Sequence, residues 1–291
     1  ALDANTTAAN NTAVGYASLG ANTTGTQNTA VGSQTLVANT TGNYNVALGQ
    51  NTLLANTTGN NNTALGSYAL DSNTTADHNI GIGASALAAN TTGGSNVAVG
   101  NYALDANTTA ANNTAVGYNS LNANTTGTVN VAVGTDALRS NTTANHNTAV
   151  GYKALDVNTT GAINTALGSN ALLANTTGDN NVAVGFGSLD ANTTADNNTA
   201  VGYAALTTNT TGADNTALGK DAGNAVTTGS ANTIIGKQAG TGGTPLTTGD
   251  SNTFVGFNVI ATTADGDEAI GLGQNMACAP GFTTLGSGAS D

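Results

Sequence analysis

The sequence predicts an all-β fold, a parallel β-solenoid in which 17-residue coils stack into an elongated rod. A motif, Asn-(Thr/Val/Ile)-Ala-(Val/Leu)-Gly, returns at a fixed step, and such self-similarity is the signature of repeat architectures. β-Branched residues, Asn and Gly are abundant, and all of them are poor helix formers. Only 7% of the residues are charged, far below the ~25% of average domains, yet Val, Leu and Ala recur regularly, which favours an ordered chain over a disordered one.

The repeat begins at Asn11 and returns every 17 residues up to Asn232. Later copies start at Asn252, Asp267 and Phe282, after steps of 20, 15 and 15 residues. We number each coil from its first Asn as position 1. Position 5 is then Gly in every copy, position 9 is almost always Leu, and positions 12 to 14 mostly read Asn-Thr-Thr. The chain is expected to form 17 coils after a partial one at the start.

Each coil is predicted to contain two short strands and two corners. Positions 2 and 4 share one strand face, which we expect to fill the interior, and position 3 points the other way. Positions 8 and 9 suggest a second short strand. Gly at position 5 and Asn at position 12 are expected at the corners, because both residue types tolerate positive φ. Coils stack ~4.8 Å apart, so the rod is expected to be about 80 Å long.

Near-invariant positions should stack into ladders along the solenoid, since one coil cannot bury its apolar face alone. Position 4 and position 9 predict aliphatic ladders, and position 1 predicts a ladder of side-chain amides that bond to the next coil. Examples are Val14, Val31, Leu48, Leu65 and Ile82 for position 4, Leu19, Leu36, Leu53 and Leu70 for position 9, and Asn11, Asn28 and Asn45 for position 1.

The nearly constant Ala of position 3 leaves two interpretations open. If positions 2 and 4 fill the interior, the Ala column faces outward and stays small because a second copy of the chain packs against it. If the faces are reversed, Ala lies inside because the coil is thin, and the chain is a monomer. Examples of the column are Ala13, Ala30, Ala47, Ala64, Ala98 and Ala115.

The variable positions 6, 7, 10, 16 and 17 are expected on the outside. All seven Tyr fall at positions 6, 7 or 17, so they are predicted to be exposed: Tyr16, Tyr44, Tyr68, Tyr102, Tyr118, Tyr152 and Tyr203.

Two regions are distinguished along the chain. Residues 1–219 are predicted to form regular 17-residue coils, and residues 220–291 irregular coils that serve as a transition or cap. In the second region Gly223 replaces Leu at position 9, Val226 replaces Asn at position 12, and Ile234 and Phe254 replace Ala at position 3.

The motifs Asn-Thr-Ala-Val-Gly at 11–15 and Asn-Val-Ala-Val-Gly at 130–134 resemble the head repeat of YadA-like trimeric autotransporter adhesins. Ser18, Ala69 and Ala137 match the small residue that follows the motif in that family. The resemblance implies a left-handed parallel β-roll, three chains side by side, and a place on the bacterial surface. Similar repeats occur in bacteriophage tail fibres.

No catalytic, cofactor-binding or metal-binding residue is predicted, and the chain is not expected to be an enzyme. His78 and His146 lie four coils apart, and Cys278 is expected to be a buried filler without a nearby His. Asp265, Asp267 and Glu268 form the one tight acidic cluster, interpreted as a solvated loop. The net charge of −12 argues against nucleic acid and anionic membranes as partners. No apolar run approaches the ~20 residues of a membrane span.

The Asn-Thr-Thr triplets match the N-glycosylation signal thirteen times, from Asn5 to Asn209. We interpret their Asn as a corner residue instead. Their Thr columns, at positions 13 and 14, suggest ice binding through a Thr-rich solenoid face as an alternative function. Adjacent residues on a strand would, however, point to opposite faces. The predicted function is a non-enzymatic extracellular structural or adhesion protein, part of a surface fibre or adhesin head. It would associate with itself, as a homotrimer or fibre, and could contact a host or surface receptor. An ice-binding protein and a phage tail-fibre segment are the alternatives.

Overall fold

The computed structural model describes residues 1–287, and within that range it contains β-strands and no helix. It divides into two compact units, Ala1–His146 and Asn147–Asp291. In both units the strand of one coil pairs in parallel with the strand of the next. Thr12 pairs with Thr29 in the first unit, and Thr165 with Val182 in the second. The predicted all-β parallel solenoid with 17-residue coils is confirmed.

The first unit contains one three-residue strand per coil, formed by positions 2 to 4. Successive strands pair without a shift in register from β1 to β8. Their bounds are β1 Thr12–Val14, β2 Thr29–Val31, β3 Val46–Leu48, β4 Thr63–Leu65, β5 Ile80–Ile82, β6 Val97–Val99, β7 Thr114–Val116 and β8 Val131–Val133.

The second unit repeats this arrangement and then changes. Strands β9 to β15 follow the same plan, β17 and β19 extend that sheet, and β16 pairs with β18 in a second small sheet. The bounds are β9 Thr148–Val150, β10 Thr165–Leu167, β11 Val182–Val184, β12 Thr199–Val201, β13 Thr216–Leu218, β14 Thr233–Ile235, β15 Thr253–Val255, β16 Ile260–Ala261, β17 Ile270–Gln274, β18 Ala277–Cys278 and β19 Thr283–Ser287.

The strand face that points into the interior is the opposite of the predicted one. Ala30 and Ala47 at position 3 are fully buried, whereas Val14 at position 4 is 58% exposed. The interpretation of positions 2 and 4 as interior was therefore wrong, and so was the outward placement of Ala. The physical reason is the Leu of position 9, which fills the coil from the opposite wall. A Cβ added at Gly81, a position-3 residue, would lie 3.3 Å from Leu70 Cγ, so the space between the two walls admits a methyl group and little more.

The predicted second strand at positions 8 and 9 is also wrong, because those residues form turns. Ala17 at position 7 and Leu19 at position 9 have positive φ, 54° and 50°, and position 17 repeats this conformation in coil after coil. Asn22 at position 12 does not. The left-handed residues cost about 1–2 kcal/mol each, which hydrogen bonds between coils offset: Leu19 N donates to Thr35 O at 3.0 Å.

Gly at position 5 follows each of the strands β1 to β15, as predicted. Gly32 has a φ of +140°, and a Cβ there would collide with the carbonyl oxygen of Gly49 in the next coil. Only glycine combines that φ with so close an approach of neighbouring coils.

Two amide ladders run through the interior, one of them predicted. At position 1, Asn28 N donates to Asn11 Oδ1 at 2.9 Å, and Asn28 Nδ2 donates to Gly42 O at 2.8 Å. At position 12, Asn39 Nδ2 donates both to Asn22 Oδ1 at 2.9 Å and to the same Gly42 O at 3.1 Å. Each buried amide is thus bonded within its own coil and to the preceding one, which the burial of polar groups requires.

Beyond residue 220 the interior exchanges large and small residues. Ile234 takes the place of Ala at position 3, and position 9 of the preceding coil becomes Gly223, where a Cβ would lie 2.9 Å from Ile234 Cδ1. Val226 interrupts the position-12 ladder, and Oδ1 of the last amide, Asn209, is buried with no hydrogen-bond partner among the described residues. The pairing of Thr253 with Ile270 starts the following coil at Ala269 and not at Asp267.

Candidate interaction surface

In each unit, positions 2 and 4 form an exposed or half-exposed surface, which we call the sheet face. Position 2 holds Thr, Val or Ile and position 4 holds Val, Leu or Ile in strands β1 to β15, so these two columns contain no charged side chain. Leu48 is 47% exposed and Ile82 38% exposed. Within each unit, parallel in-register strands align these uncharged side chains into rows.

The two edges of the sheet face differ in the second unit. Because all strands run in the same direction, positions 6 and 7 follow the carboxyl ends of the strands, and positions 16 and 17 precede their amino ends. Positions 6 and 7 carry Lys153, Lys220 and Lys237, and we call this the basic edge. Positions 16 and 17 form the acidic edge, with Asp179, Asp196, Asp214, Asp250, Asp267 and Glu268.

Aromatic rings line the basic edge. Lys153 Nζ lies 5.4 Å from the ring centroid of Tyr152, and Lys220 Nζ lies 5.5 Å from that of Tyr203. Lys237 Nζ lies 5.6 Å from the ring centroid of Phe257. These distances permit cation–π attraction. The predicted exposure of the seven Tyr is confirmed, since all of them are at least 43% exposed.

The Asp residues of position 16 have a structural role as well as a charge. Asp196 Oδ1 accepts from Asp179 N at 2.7 Å, and Asp267 Oδ1 accepts from Asp250 N at 2.7 Å. In the first unit Asn60 makes the equivalent bond, accepting from Asn43 N at 2.9 Å. An amide therefore performs the same structural task, so the carboxylates of the second unit add charge that the hydrogen bond does not need.

The Thr columns lie side by side and not on opposite faces, because positions 13 and 14 form a bend and no strand. Thr23 Oγ1 of position 13 donates to Thr40 O in the next coil at 3.0 Å. Thr24 and Thr41 of position 14 are exposed. The same exposed Thr recurs at position 14 in each unit, so within a unit the corner presents a regular array of hydroxyl and methyl groups.

In all but the first of the Asn-Thr-Thr triplets, the Asn is not accessible for glycosylation in the folded chain. From Asn22 to Asn209 all of these residues are fully buried. The Nδ2 atom that would carry the glycan is already committed: Asn107 Nδ2 donates to Asn90 Oδ1 at 2.8 Å and to Ala110 O at 3.0 Å.

The other candidate residues do not converge. His78 and His146 are exposed, as are Asp265, Asp267 and Glu268. Residues 1–287 contain no group of three or more His, Cys, Asp or Glu able to hold a metal ion. Cys278 is buried in β18, where desolvation raises the pKa of its thiol. The absence of an enzyme activity remains a prediction.

Three carboxylates at position 10 are half-buried. Desolvation raises the pKa of Asp71, Asp105 and Asp190 above the ordinary value, and Asp71 Oδ1 is buried with no hydrogen-bond partner among the described residues. Between the ordinary pKa and the raised one, the folded chain holds protons that the unfolded chain has released. Stability contributed by these groups is therefore lost as pH rises through that window.

Replacing Asp105 by Asn is accordingly expected to raise the free energy of unfolding at pH 7 and to have no such effect at a pH below the ordinary carboxyl pKa. The gain should stay below about 1 kcal/mol, because solvent screens a half-exposed group. Denaturant unfolding at the two pH values measures it. Asp214→Asn removes the same charge at an exposed position, and an equal gain from it would show that net charge, not desolvation, is responsible.

Within residues 1–287 no helix has the length and apolar character needed to cross a bilayer. No protein-family model matches the chain and no curated protein matches it, so the likeness to YadA-like head repeats remains a resemblance in motif.

Proposed function

We propose that this chain is a non-enzymatic structural or adhesion protein, a segment of an extracellular fibre or adhesin head on a bacterial surface or a virion. The observation that carries the proposal is the sheet face: uncharged rows, Thr, Val or Ile at position 2 and Val, Leu or Ile at position 4, recur exposed or half-exposed in coil after coil. Contiguous exposed apolar surface of more than a few hundred Å² marks an interaction site. Copies of the chain are the partner we propose for it, as a homotrimer or a fibre.

Repetition strengthens such a contact. Burial of apolar surface contributes roughly 25 cal/mol per Å², so a single half-exposed Val or Leu contributes little. The eight strands of the first unit, β1 to β8, present the same rows at the same spacing. A flat partner surface can cover them all at once, and the small contributions of successive coils add.

The remaining surface is free for a receptor. Positions 6, 7, 10, 16 and 17 vary between coils and lie at the surface, so they can carry a specific contact without disturbing the constant interior. A host or surface receptor is the partner we propose for these columns in the first unit and for position 10 in both units.

Self-association is tested with the full chain. Light scattering should show wild type larger than a single chain, and Leu48→Lys with Ile82→Lys should give single chains that remain folded, because a charge buried at an apolar contact is strongly unfavourable. The matched control is Ala88→Lys with Asn122→Lys, which adds the same charge at position 10, away from the sheet face, and should leave the assembly intact. Wild type that stays a single chain, or a sheet-face variant that assembles normally, would contradict the proposal.

Ice binding is the second candidate, and the exposed Thr array of position 14 favours it. Both Thr columns reach solvent along one corner, and the hydroxyl of position 13 is held by a bond to the next coil. Such an array orders hydroxyl and methyl groups at the spacing of the coils, ~4.8 Å.

An ice-recrystallisation assay separates the two functions. If the chain binds ice, Thr58→Lys with Thr92→Lys should abolish inhibition of recrystallisation, and the sheet-face variant should retain it. An inactive wild type would eliminate ice binding and leave the structural function in place.

A further inference from the structure

We infer that the second unit carries an electrostatic match between copies of the chain, in which the basic edge of one copy lies against the acidic edge of the next. This inference rests on the proposed self-association and specifies which residues align the copies. It concerns residues of Asn147–Asp291 alone.

The basic edge is unusual for this chain. The whole sequence contains four Lys and Arg against sixteen Asp and Glu, yet three of the four basic residues share positions 6 and 7 of the second unit. Two of them, Lys220 and Lys237, are exposed. Asp221 Oδ2 lies 3.7 Å from Lys220 Nζ and offsets part of this charge, but the edge remains net positive.

The acidic edge carries six carboxylates and no basic residue in the described part of the second unit. Five of the six are exposed, and only Asp179 is half-buried. The first unit differs, because Asp77 is its one acidic residue at positions 16 and 17. The uncharged amides of Asn43, Asn60 and Asn145 accept the backbone hydrogen bonds there. Segregation of opposite charges to the two edges is therefore a property of the second unit.

A second copy is the partner that fits both edges together with the uncharged rows between them. Copies whose coils stack in the same direction bring unlike edges together, whether they lie side by side or face to face. Copies that stack in opposite directions bring like edges together, which is repulsive. A net charge of −12 per chain opposes any association, and an attractive edge pair relieves this where the copies meet. A free polyanion would engage the basic edge and leave the acidic edge without a role.

Charge reversal on each edge tests the match in the full chain. The first variant is Lys220→Glu with Lys237→Glu. The second is Asp214→Lys with Glu268→Lys, because neither acidic side chain makes a hydrogen bond within residues 1–287. The third variant combines all four changes. The dissociation constant of the assembly, from sedimentation equilibrium, is expected to rise about tenfold in each of the first two variants and to return to the wild-type value in the third.

Net charge alone predicts a different pattern. The first variant lowers the net charge from −12 to −16 and the second raises it to −8, so uniform repulsion would weaken the first assembly and strengthen the second. The third variant has the wild-type net charge. Weakening in both single-edge variants with recovery in the third supports the match. An unchanged or strengthened assembly in the second variant, or no recovery in the third, overturns it. Wild type that never associates refutes the proposed function itself.

Discussion

Replacing Ala115 by Glu is expected to unfold the coil that contains it and its neighbours. Ala115, at position 3 in β7, is fully buried. The position-9 residues Leu104 of the preceding coil and Leu121 of the same coil are fully buried too. A Glu side chain would place a carboxylate in an interior that has room for a methyl group, at a cost of several kcal/mol. Each coil is stabilised by its neighbours, so the defect is not confined to one coil.

Thermal unfolding followed by circular dichroism measures this effect, and the same coil offers a control. Thr114→Glu adds an identical side chain at position 2, on the half-exposed sheet face, and should change the melting temperature little at a concentration where the chain is not associated. A variant at Ala115 that stays folded and merely loses self-association would place position 3 outside, as the first interpretation of the sequence had it.

The period and its ladders could be predicted because they are properties of spacing. A step of 17 residues with Leu at position 9 and Asn at position 1 fixes which side chains stack, and the structure places both columns in the interior. The exposed Tyr were predicted from variability between coils, since a close-packed interior does not accommodate side chains of widely different volume at one position.

Strand periodicity alone could not predict which face of the strand points into the interior. Both faces are apolar, one with Ala and the other with Val, Leu and Ile, so hydrophobicity favoured the wrong face. What decides it is volume: the Leu at position 9 occupies the space opposite position 3. The sequence does contain this signal beyond residue 220, where Ile234 and Phe254 appear at position 3 as Gly223 and Gly240 replace Leu at position 9. That exchange shows the two positions sharing one space.

The turns were missed for another reason. Leu19 and Ala17 adopt positive φ, which neither residue type indicates, because tertiary hydrogen bonds between coils impose the conformation. This also hid the Thr surface, since positions 13 and 14 were assigned to opposite faces of a strand that does not form. The sheet face and its charged edges could be identified only once positions 2 and 4 were known to point outward.

The coil that contains β3 has one buried and one exposed leucine. Truncating the two to Ala is expected to lower the free energy of unfolding by amounts that differ severalfold. Leu53 at position 9 is fully buried, whereas Leu48 at position 4 is 47% exposed. Leu53→Ala should therefore lower the free energy of unfolding by about 2–5 kcal/mol, through lost burial and the cavity left behind.

Leu48→Ala removes the same atoms from a half-exposed site and should cost about 1 kcal/mol or less. Denaturant unfolding of both variants, at a concentration where the chain is not associated, gives the comparison. Because residue type and coil are identical, denatured-state effects largely cancel, and the difference mainly reports burial. At concentrations that favour assembly, the difference between the two unfolding free energies should become smaller. Leu48→Ala then also removes a contact with a neighbouring copy. Equal costs for the two leucines in dilute solution would mean that the sheet face is packed against the chain itself.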